Sequence, residues 1–244
     1  MKAEIVTDSK PAYEAWHERL DVDAETATPW HGLVKAHLDP ARDLAGKRVL
    51  EIGCGRGGFA CWLAARGQHA PSLVVAADFA ETAVAKGEAF AARRGLHGIR
   101  WEVADVQDIR HADASFDTVV SCETVEHVPD PRRALTELAR VLKPGGRLLL
   151  TTPNYLGLMG LYRGYMRLTG RRYTEEGQPI NNFLLLPRVR AWVAGAGLRV
   201  RKVDAVGHYL PFPRRPPIEL PLFNEPRALT RWFGLHSLVV AEKL

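Results

Sequence analysis

The segment from Ser121 to Pro131 contains three side chains that could act together in catalysis. Glu123, Glu126 and His127 stand at positions i, i+3 and i+4, so one turn of helix would point all three in the same direction. Two carboxylates and an imidazole are suitable ligands for Mg²⁺, Mn²⁺, Zn²⁺ or Fe²⁺. The spacing predicts a divalent-metal site. The alternative is a loop in which His127 alone acts as the general base, because its ordinary pKa is about 6.5.

A glycine-rich loop, Gly53-Cys54-Gly55-Arg56-Gly57-Gly58, follows the first predicted strand and precedes a predicted helix. Glycines permit a tight turn and a close approach of the backbone to a ligand, and the first amides of a helix favour negative charge. Gly53, Gly55 and Gly58 also match the G-x-G-x-x-G pattern of dinucleotide-binding folds. Asp78 ends the second predicted strand, where an acidic residue would bind the ribose hydroxyls of a dinucleotide or of another nucleoside cofactor.

Three further features favour a site for a sulfonium cofactor over a site for a dinucleotide. Glu51 precedes the first glycine of the loop by two residues, where its carboxylate would face the positively charged methionyl part of a sulfonium cofactor. Asp105, after the third predicted strand, could accept a hydrogen bond from an adenine amino group. Phe116-Asp117 and then Leu142-Lys143-Pro144-Gly145-Gly146 complete an ordered series. Over residues 47–152 this series resembles the class I S-adenosylmethionine-dependent methyltransferase family.

The resemblance implies a cofactor, a fold and a set of binding residues. The cofactor is S-adenosylmethionine. The fold is an α/β, Rossmann-like, doubly wound sheet of seven strands in the order 3-2-1-4-5-7-6, with the last strand antiparallel to the rest. The residues predicted to bind the cofactor are Glu51, Gly53, Cys54, Gly55, Gly57, Asp78, Phe79, Asp105, Val106 and Cys122.

The segment that holds Glu123, Glu126 and His127 carries a more specific resemblance. Together with Thr152-Pro153-Asn154, it resembles the E-x-x-E-H segment of the ubiquinone-biosynthesis O-methyltransferases, in which this segment is associated with a divalent metal. It is also similar to the metal-ligand segment of the small-RNA 2′-O-methyltransferases. Those enzymes have a further histidine next to the segment, and Val128 occupies that place here. This departure argues against an RNA substrate.

The pattern of apolar residues predicts alternating strands and helices. Runs rich in branched residues predict strands at 48–53, 73–78, 99–104, 117–122, 147–151, 198–204 and 237–242. Helices are predicted at 59–66, 82–94 and 132–142, the last with Asp130 as its cap and Pro131 in its first turn. This alternation favours a parallel sheet covered by helices on both faces, which binds ligands beyond the carboxyl ends of its strands.

We expect one methyltransferase domain over residues 1–244. Residues 1–46 are predicted to form a helical lid that carries Trp16, Trp30 and His31, and residues 47–152 the cofactor-binding core. An insertion and a helix follow at 153–196, where Tyr155, Tyr162, Tyr165 and Tyr173 either wall a substrate pocket or pack onto the sheet. Residues 197–244 supply the last strands and an irregular, proline-rich cover.

The composition is that of a globular enzyme, with 46% hydrophobic residues, and no apolar run approaches the ~20 residues of a membrane-spanning helix. Three cysteines without a CxxC pair argue against a disulfide framework and favour a reducing cytoplasm. The net charge of +5 leaves a phosphate-bearing substrate open. Our prediction is O-methylation of a small molecule, such as a secondary metabolite, quinone or sugar. The alternatives are an RNA or polyanion methyltransferase and a non-catalytic, cofactor-binding partner subunit.

Overall fold

The computed structural model describes residues 9–19, 26–171, 178, 180, 182–212, 215–224 and 230–244. Its helices are α1 (Ser9–Arg19), α2 (Pro29–His37), α3 (Gly58–Ala64), α4 (Glu81–Arg93), α5 (Pro131–Val141), α6 (Leu158–Leu168) and α7 (Leu186–Gly195). Its strands are β1 (Arg48–Ile52), β2 (Leu73–Asp78), β3 (Ile99–Val103), β4 (Phe116–Cys122), β5 (Leu142–Pro153), β6 (Leu198–Val206), β7 (Tyr209–Phe212), β8 (Arg215–Glu219) and β9 (His236–Lys243).

Seven of the strands form one sheet in the order β3-β2-β1-β4-β5-β9-β6. The pairs from β3 to β5 are parallel, and β9 is antiparallel to both of its neighbours, β5 and β6. Counted along the chain within this sheet, the order is 3-2-1-4-5-7-6. The predicted fold, strand order and direction of the last strand are therefore confirmed.

Helices bury both faces of the sheet, because consecutive strand residues point to opposite sides. Leu148 and Leu150 of β5 pack in one cluster with apolar side chains of α5 and α7, among them Leu135 and Val189. The intervening Leu149 packs in a second cluster with apolar side chains of α2 and α3. The ligand-binding edge of the sheet is thus positioned by a core on each side.

The junction between α5 and β5 differs from the prediction. Asp130 caps α5 as expected, accepting the amides of Arg132 and Arg133 at 3.0 and 3.1 Å. The strand, however, begins at Leu142 rather than 147, because Leu142 already pairs with Phe116 before the register shifts. Residues 143–146, which lie between the predicted helix at 132–142 and the predicted strand at 147–151, are therefore an irregular part of a longer strand.

The proline-rich region is more regular than predicted. Strands β7 and β8 pair antiparallel as a separate two-stranded sheet, with Leu210 opposite Ile218. The insertion contains α6 and, before β6, the chain forms α7. Tyr173 lies outside the described residues. In the part of the chain that the structure describes, no helix has the length and apolar character needed to cross a membrane.

Candidate active site

A cavity of about 690 Å³ opens at the carboxyl ends of β1, β2 and β4. Most of the predicted site residues line it: Glu51, Gly53, Cys54, Gly55, Asp78, Phe79, Asp105, Val106 and Cys122 from the cofactor set, and Glu123 and His127 from the catalytic segment. Two described residues of these sets, Gly57 and Glu126, are not part of the lining. The structure therefore brings together residues from four separate parts of the sequence at one edge of the sheet.

The glycine loop has a conformation that side chains would disturb. Gly53 has a φ of +75°, and a Cβ at this position would lie 2.0 Å from Oγ1 of Thr124. Gly57 has a φ of +73°, and its Cβ would lie 2.1 Å from the ring of Trp101. Gly57 therefore acts behind the cavity, where it allows Trp101 to pack against the loop, rather than as part of the lining.

Asp78 holds the glycine loop next to the end of β2. Its Oδ2 accepts the amide hydrogen of Gly55 at 2.8 Å, and its Oδ1 accepts that of Ala80 at 3.0 Å. Each carboxylate oxygen has a further lone pair. Asp78 can therefore fix the loop and still accept a hydrogen bond from a ligand in the cavity.

Glu51 is a buried carboxylate, with only 2% of its surface exposed. Its Oε2 has no hydrogen-bond partner among the described residues. Burial raises the pKa of this carboxyl well above its ordinary range, and the nearby charge of Asp78 raises it further, while a bond from the Ala60 amide has the opposite effect. A positively charged group in the cavity would stabilise the ionised form of Glu51.

Asp105 and its neighbours form the part of the cavity beyond β3. Oδ1 of Asp105 accepts the amide hydrogen of Gln107 at 2.8 Å, and both carboxylate oxygens contact the Gln107 side-chain nitrogen, at 3.2 and 3.3 Å. Val106 is buried, and Phe79 lies nearby in the lining. A carboxylate in a cavity that apolar side chains also line suits a flat aromatic ring that carries a hydrogen-bond donor.

His127 has a defined protonation pattern. Its Nδ1 lies 2.6 Å from the carbonyl oxygen of Ile180, which can only accept, so Nδ1 carries the hydrogen. Burial lowers the pKa of His127 below its ordinary value, although the Ile180 bond and the charge of Glu123 oppose this effect. The imidazole is therefore neutral near pH 7, with a lone pair on Nε2. Tyr13 donates its hydroxyl to the backbone oxygen of His127 at 3.2 Å.

The predicted three-ligand metal cluster is not formed. Glu123 has a left-handed backbone with a φ of +48°, and the turn of 3₁₀-helix begins only at Val125, so the three side chains do not share one helical face. Glu126 is fully buried, and its Oε2 accepts the Thr152 hydroxyl at 3.0 Å. Its Oε1 lies 3.6 Å from His127 Nε2, whereas Glu123 lies 3.9 Å from His236.

Among all described residues, no group of three or more His, Cys, Asp or Glu side chains is placed to hold a metal ion. The prediction that one turn of helix would align the three side chains is wrong, because Glu123 has a left-handed backbone and the turn begins only at Val125. The E-x-x-E-H segment as it stands here does not fit a three-ligand site.

The N-terminal helices contribute directly to the cavity. Trp16 from α1 and Trp30 and His31 from α2 are part of the lining, as are Tyr13 and His17, which were not predicted from the sequence. Tyr13 and His17 stand four residues apart on one helical face, next to Trp16, and this spacing was the available signal. We refer to α1 and α2 together as the N-terminal cover.

Comparison with known proteins agrees with this geometry. The model of a family described as a methyltransferase domain matches residues 50–150. A ubiquinone biosynthesis O-methyltransferase from Xanthomonas oryzae pv. oryzae (strain PXO99A) is 34% identical over 225 residues, which cover 82% of this chain and 88% of that protein. The chain belongs to the class I S-adenosylmethionine-dependent methyltransferases.

Two further comparisons differ in what they cover. A ubiquinone biosynthesis O-methyltransferase from Neisseria meningitidis serogroup A is 37% identical over 119 residues, so that this match spans about half of each protein: 48% of this chain and 49% of the relative. The crystal structure of the YcgJ protein from Bacillus subtilis superposes with a TM-score of 0.66 at 18% identity, covering 87% of this chain and 98% of that one. The superposition on YcgJ shows the shared fold.

The cavity of this methyltransferase fits the methyl donor of its family. The glycines at 53 and 55 leave bare backbone where the donor must approach closely, and a Cβ at Gly53 would already collide with Thr124. The buried Glu51 oxygen lacks a partner within the described part of the chain, as expected of a group that receives a cationic ligand. Shape and charge therefore both suit S-adenosylmethionine.

Proposed function

We propose that this methyltransferase transfers the methyl group of S-adenosylmethionine to an oxygen atom of a small molecule, with His127 as the general base. The observation that carries the proposal is the hydrogen bond from His127 Nδ1 to the Ile180 carbonyl. It leaves Nε2 as the acceptor of a neutral imidazole in a residue that lines the cavity. A hydroxyl nucleophile needs such an acceptor for its proton.

The residues of the chain divide the chemistry between them. Glu51, the glycine loop, Asp78 and Asp105 hold the donor, whose sulfonium supplies an already activated methyl group. His127 Nε2 takes the hydroxyl proton while the bond from oxygen to the methyl carbon forms and the carbon–sulfur bond breaks. The products are a methyl ether, S-adenosylhomocysteine and a protonated imidazole, which returns its proton to water. The N-terminal cover, which contributes Trp30 to the lining, excludes water from this reaction.

Two observations support a small substrate over a polyanion. Arg56 is the one Lys or Arg residue in the cavity lining, counted over the described residues, so the cavity offers few partners for several phosphates. Two relatives at 34% and 37% identity are both named ubiquinone biosynthesis O-methyltransferases. A phenolic or catecholic hydroxyl on a ring that packs against Trp30 and Tyr13 is therefore the acceptor we infer.

The test is methyl transfer to a panel of catechols, amino sugars and short RNAs, measured for the unmodified protein, for His127→Gln and for His97→Gln. His97 is exposed and absent from the cavity lining, which makes it a matched control. We expect transfer to catechols, a loss of about 10²- to 10⁴-fold in kcat for His127→Gln, and no change for His97→Gln. The affinity for S-adenosylhomocysteine should be similar in all three proteins.

Other results would contradict the proposal in distinct ways. Transfer to RNA alone would favour the polyanion alternative. Full activity in His127→Gln would remove His127 as the base. Tight binding of S-adenosylhomocysteine without turnover on any acceptor would favour the non-catalytic partner subunit.

A further inference from the structure

Helix α1 supplies the N-terminal cap that α4 lacks. The residue before α4 is Ala80, which has no side chain that can accept a hydrogen bond. Glu14 of α1 takes this role, because its two carboxylate oxygens accept the amides of Glu81 at 2.7 Å and Thr82 at 2.9 Å. The first amides of a helix have no partner within the helix, so this contact stabilises α4 and fixes α1 against it.

Two more contacts fix the same helix. Lys10 Nζ lies 2.7 Å from the Glu81 carboxylate, and Lys86 Nζ donates to the backbone oxygen of His17 at 2.8 Å. Helix α4 directly follows the turn that Asp78 holds through Ala80. The position of His17 is therefore fixed relative to Asp78, the residue we assign to the ribose.

His17 has a buried polar atom that the described part of the protein leaves unused. The residue is 6% exposed, and its Nδ1 has no hydrogen-bond partner within the described ranges. It lines the same cavity as Asp78 and interacts electrostatically with it. The Trp16 ring contacts the imidazole edge-on, with the ring centroids 4.8 Å apart. A buried, unpaired imidazole nitrogen beside a ligand cavity is costly unless a ligand pairs with it.

We propose that His17 binds the ribose of S-adenosylmethionine as a second polar contact beside Asp78. The inference rests on the proposed function, in which Asp78 helps to hold the donor, and it takes Asp78 as the residue that binds the ribose, as the sequence predicts. Asp78 can only accept, whereas each ribose hydroxyl can both donate and accept. A neutral imidazole accepts at one nitrogen and donates at the other, so it complements the carboxylate on the same diol. Burial lowers the pKa of His17 and so favours this neutral form.

The experiment compares two ligands, S-adenosylhomocysteine and its 2′,3′-dideoxyribose analogue, by calorimetric titration. The proteins are the unmodified chain, His17→Phe, His17→Leu, Glu14→Gln and the surface control His97→Phe. His17→Phe and His17→Leu should lower the affinity for S-adenosylhomocysteine about three- to tenfold, as expected for the loss of one hydrogen bond. Both should bind the dideoxy analogue as tightly as the unmodified chain does, because the partner of His17 is already missing from it.

Glu14→Gln provides the comparison for a structural effect. It loosens α1 but keeps the imidazole, so a general disturbance of the cavity should weaken the binding of both ligands, and any further loss confined to S-adenosylhomocysteine reports displacement of His17 from the ribose. If the His17 variants also weaken both ligands equally, or weaken neither, the direct contact is overturned and the proposed function stands. If the unmodified protein does not bind S-adenosylhomocysteine, the proposed function itself fails. Circular dichroism identifies a variant that has not folded, and the other His17 variant then supplies the comparison.

Discussion

The Thr152 hydroxyl donates a hydrogen bond to Glu126 Oε2 over 3.0 Å, and both side chains are shielded from solvent. The bond joins the end of β5 to the turn Val125–His127, which follows β4. The amide and side-chain nitrogens of Asn182 also bind the backbone oxygen of Glu126, at 2.8 and 3.0 Å. Glu126 is therefore a structural support of the turn that carries His127.

Removing this hydroxyl should destabilise the protein. In Thr152→Val a buried carboxylate oxygen loses its donor at nearly constant side-chain volume, and we expect a loss of about 1–3 kcal/mol in the free energy of unfolding. Thr152→Ser keeps the hydroxyl and is the matched control, with only the smaller cost of a lost methyl group. Urea denaturation measures both values. Equal losses in the two variants would show that the Thr152–Glu126 bond contributes nothing.

Chelation should leave the reaction rate unchanged. The carboxylate of Glu126 is bound by Thr152 outside the cavity lining, and Glu123 faces His236, so the three side chains do not surround a common point. Initial rates with a competent acceptor, measured in EDTA and after addition of Mg²⁺, Mn²⁺, Zn²⁺ or Fe²⁺ singly, should agree. A rate that falls in EDTA and recovers with one of these ions would contradict this expectation and restore the sequence-based metal site.

The packing of Trp101 behind the glycine loop predicts an unequal effect of two glycine substitutions. Gly57→Ala and Gly95→Ala both place a side chain at a positive φ, +73° and +67° respectively. Only at Gly57 does the new Cβ meet a neighbour, the Trp101 ring at 2.1 Å; nothing in the described structure lies within 4 Å of a Cβ at Gly95. We expect Gly57→Ala to be less stable than Gly95→Ala by about 1–3 kcal/mol.

The same pair should differ in ligand affinity. In Gly57→Ala, movement of Trp101 or of the loop should lower the affinity for S-adenosylhomocysteine. In Gly95→Ala the affinity should be unchanged. Thermal unfolding and calorimetric titration give both comparisons. Indistinguishable variants would mean that the loop accommodates the methyl group without strain.

His31 predicts a specific dependence of stability on pH. Burial, and to a lesser extent the charge of Lys35, lowers the pKa of His31 from 6.5 to about 4. Between these values the unfolded chain binds a proton that the folded protein does not, so stability falls as the pH drops through this window. His31→Phe keeps the stacking on Phe59, whose ring lies parallel at 5.0 Å, but cannot titrate.

The measurement is the free energy of unfolding of both proteins from pH 7 to pH 4. Relative to His31→Phe, the unmodified protein should lose up to about 3 kcal/mol over this range. Other titrating groups are common to both proteins and cancel in the difference. Parallel stability curves would show that His31 is not held neutral by the fold.

The positions of the strands, and the meeting of the glycine loop with Asp78 at one edge of the sheet, could be predicted because they depend on local sequence. Gly53 and Asp78 each lie at the carboxyl end of a strand whose apolar run is plain in the sequence, and parallel strands bring such ends together. The orientation of Glu126 could not be predicted in this way. It depends on the left-handed backbone of Glu123 and on Thr152, 26 residues further along the chain.

The position of His17 relative to Asp78 was also beyond the local pattern, although its spacing from Tyr13 marks one face of a helix. His17 reaches the cavity because Glu14 caps a helix 67 residues away in sequence, and nothing in the spacing of α1 identifies that partner. The strand order itself came from family resemblance, because periodicity shows where strands lie but not which of them are neighbours.

The position of β9 has a consequence for the order in which the chain can fold during synthesis. This strand is translated after every other strand of the large sheet, yet it lies between β5 and β6. Until residues 236–243 leave the ribosome, β6 has no hydrogen-bonded neighbour in that sheet, and the outer edge of β5 is open. The nascent chain can therefore assemble β1 to β5 around the ligand-binding edge early, while the outer edge of β5 and the whole of β6 stay unpaired until translation of β9 is complete.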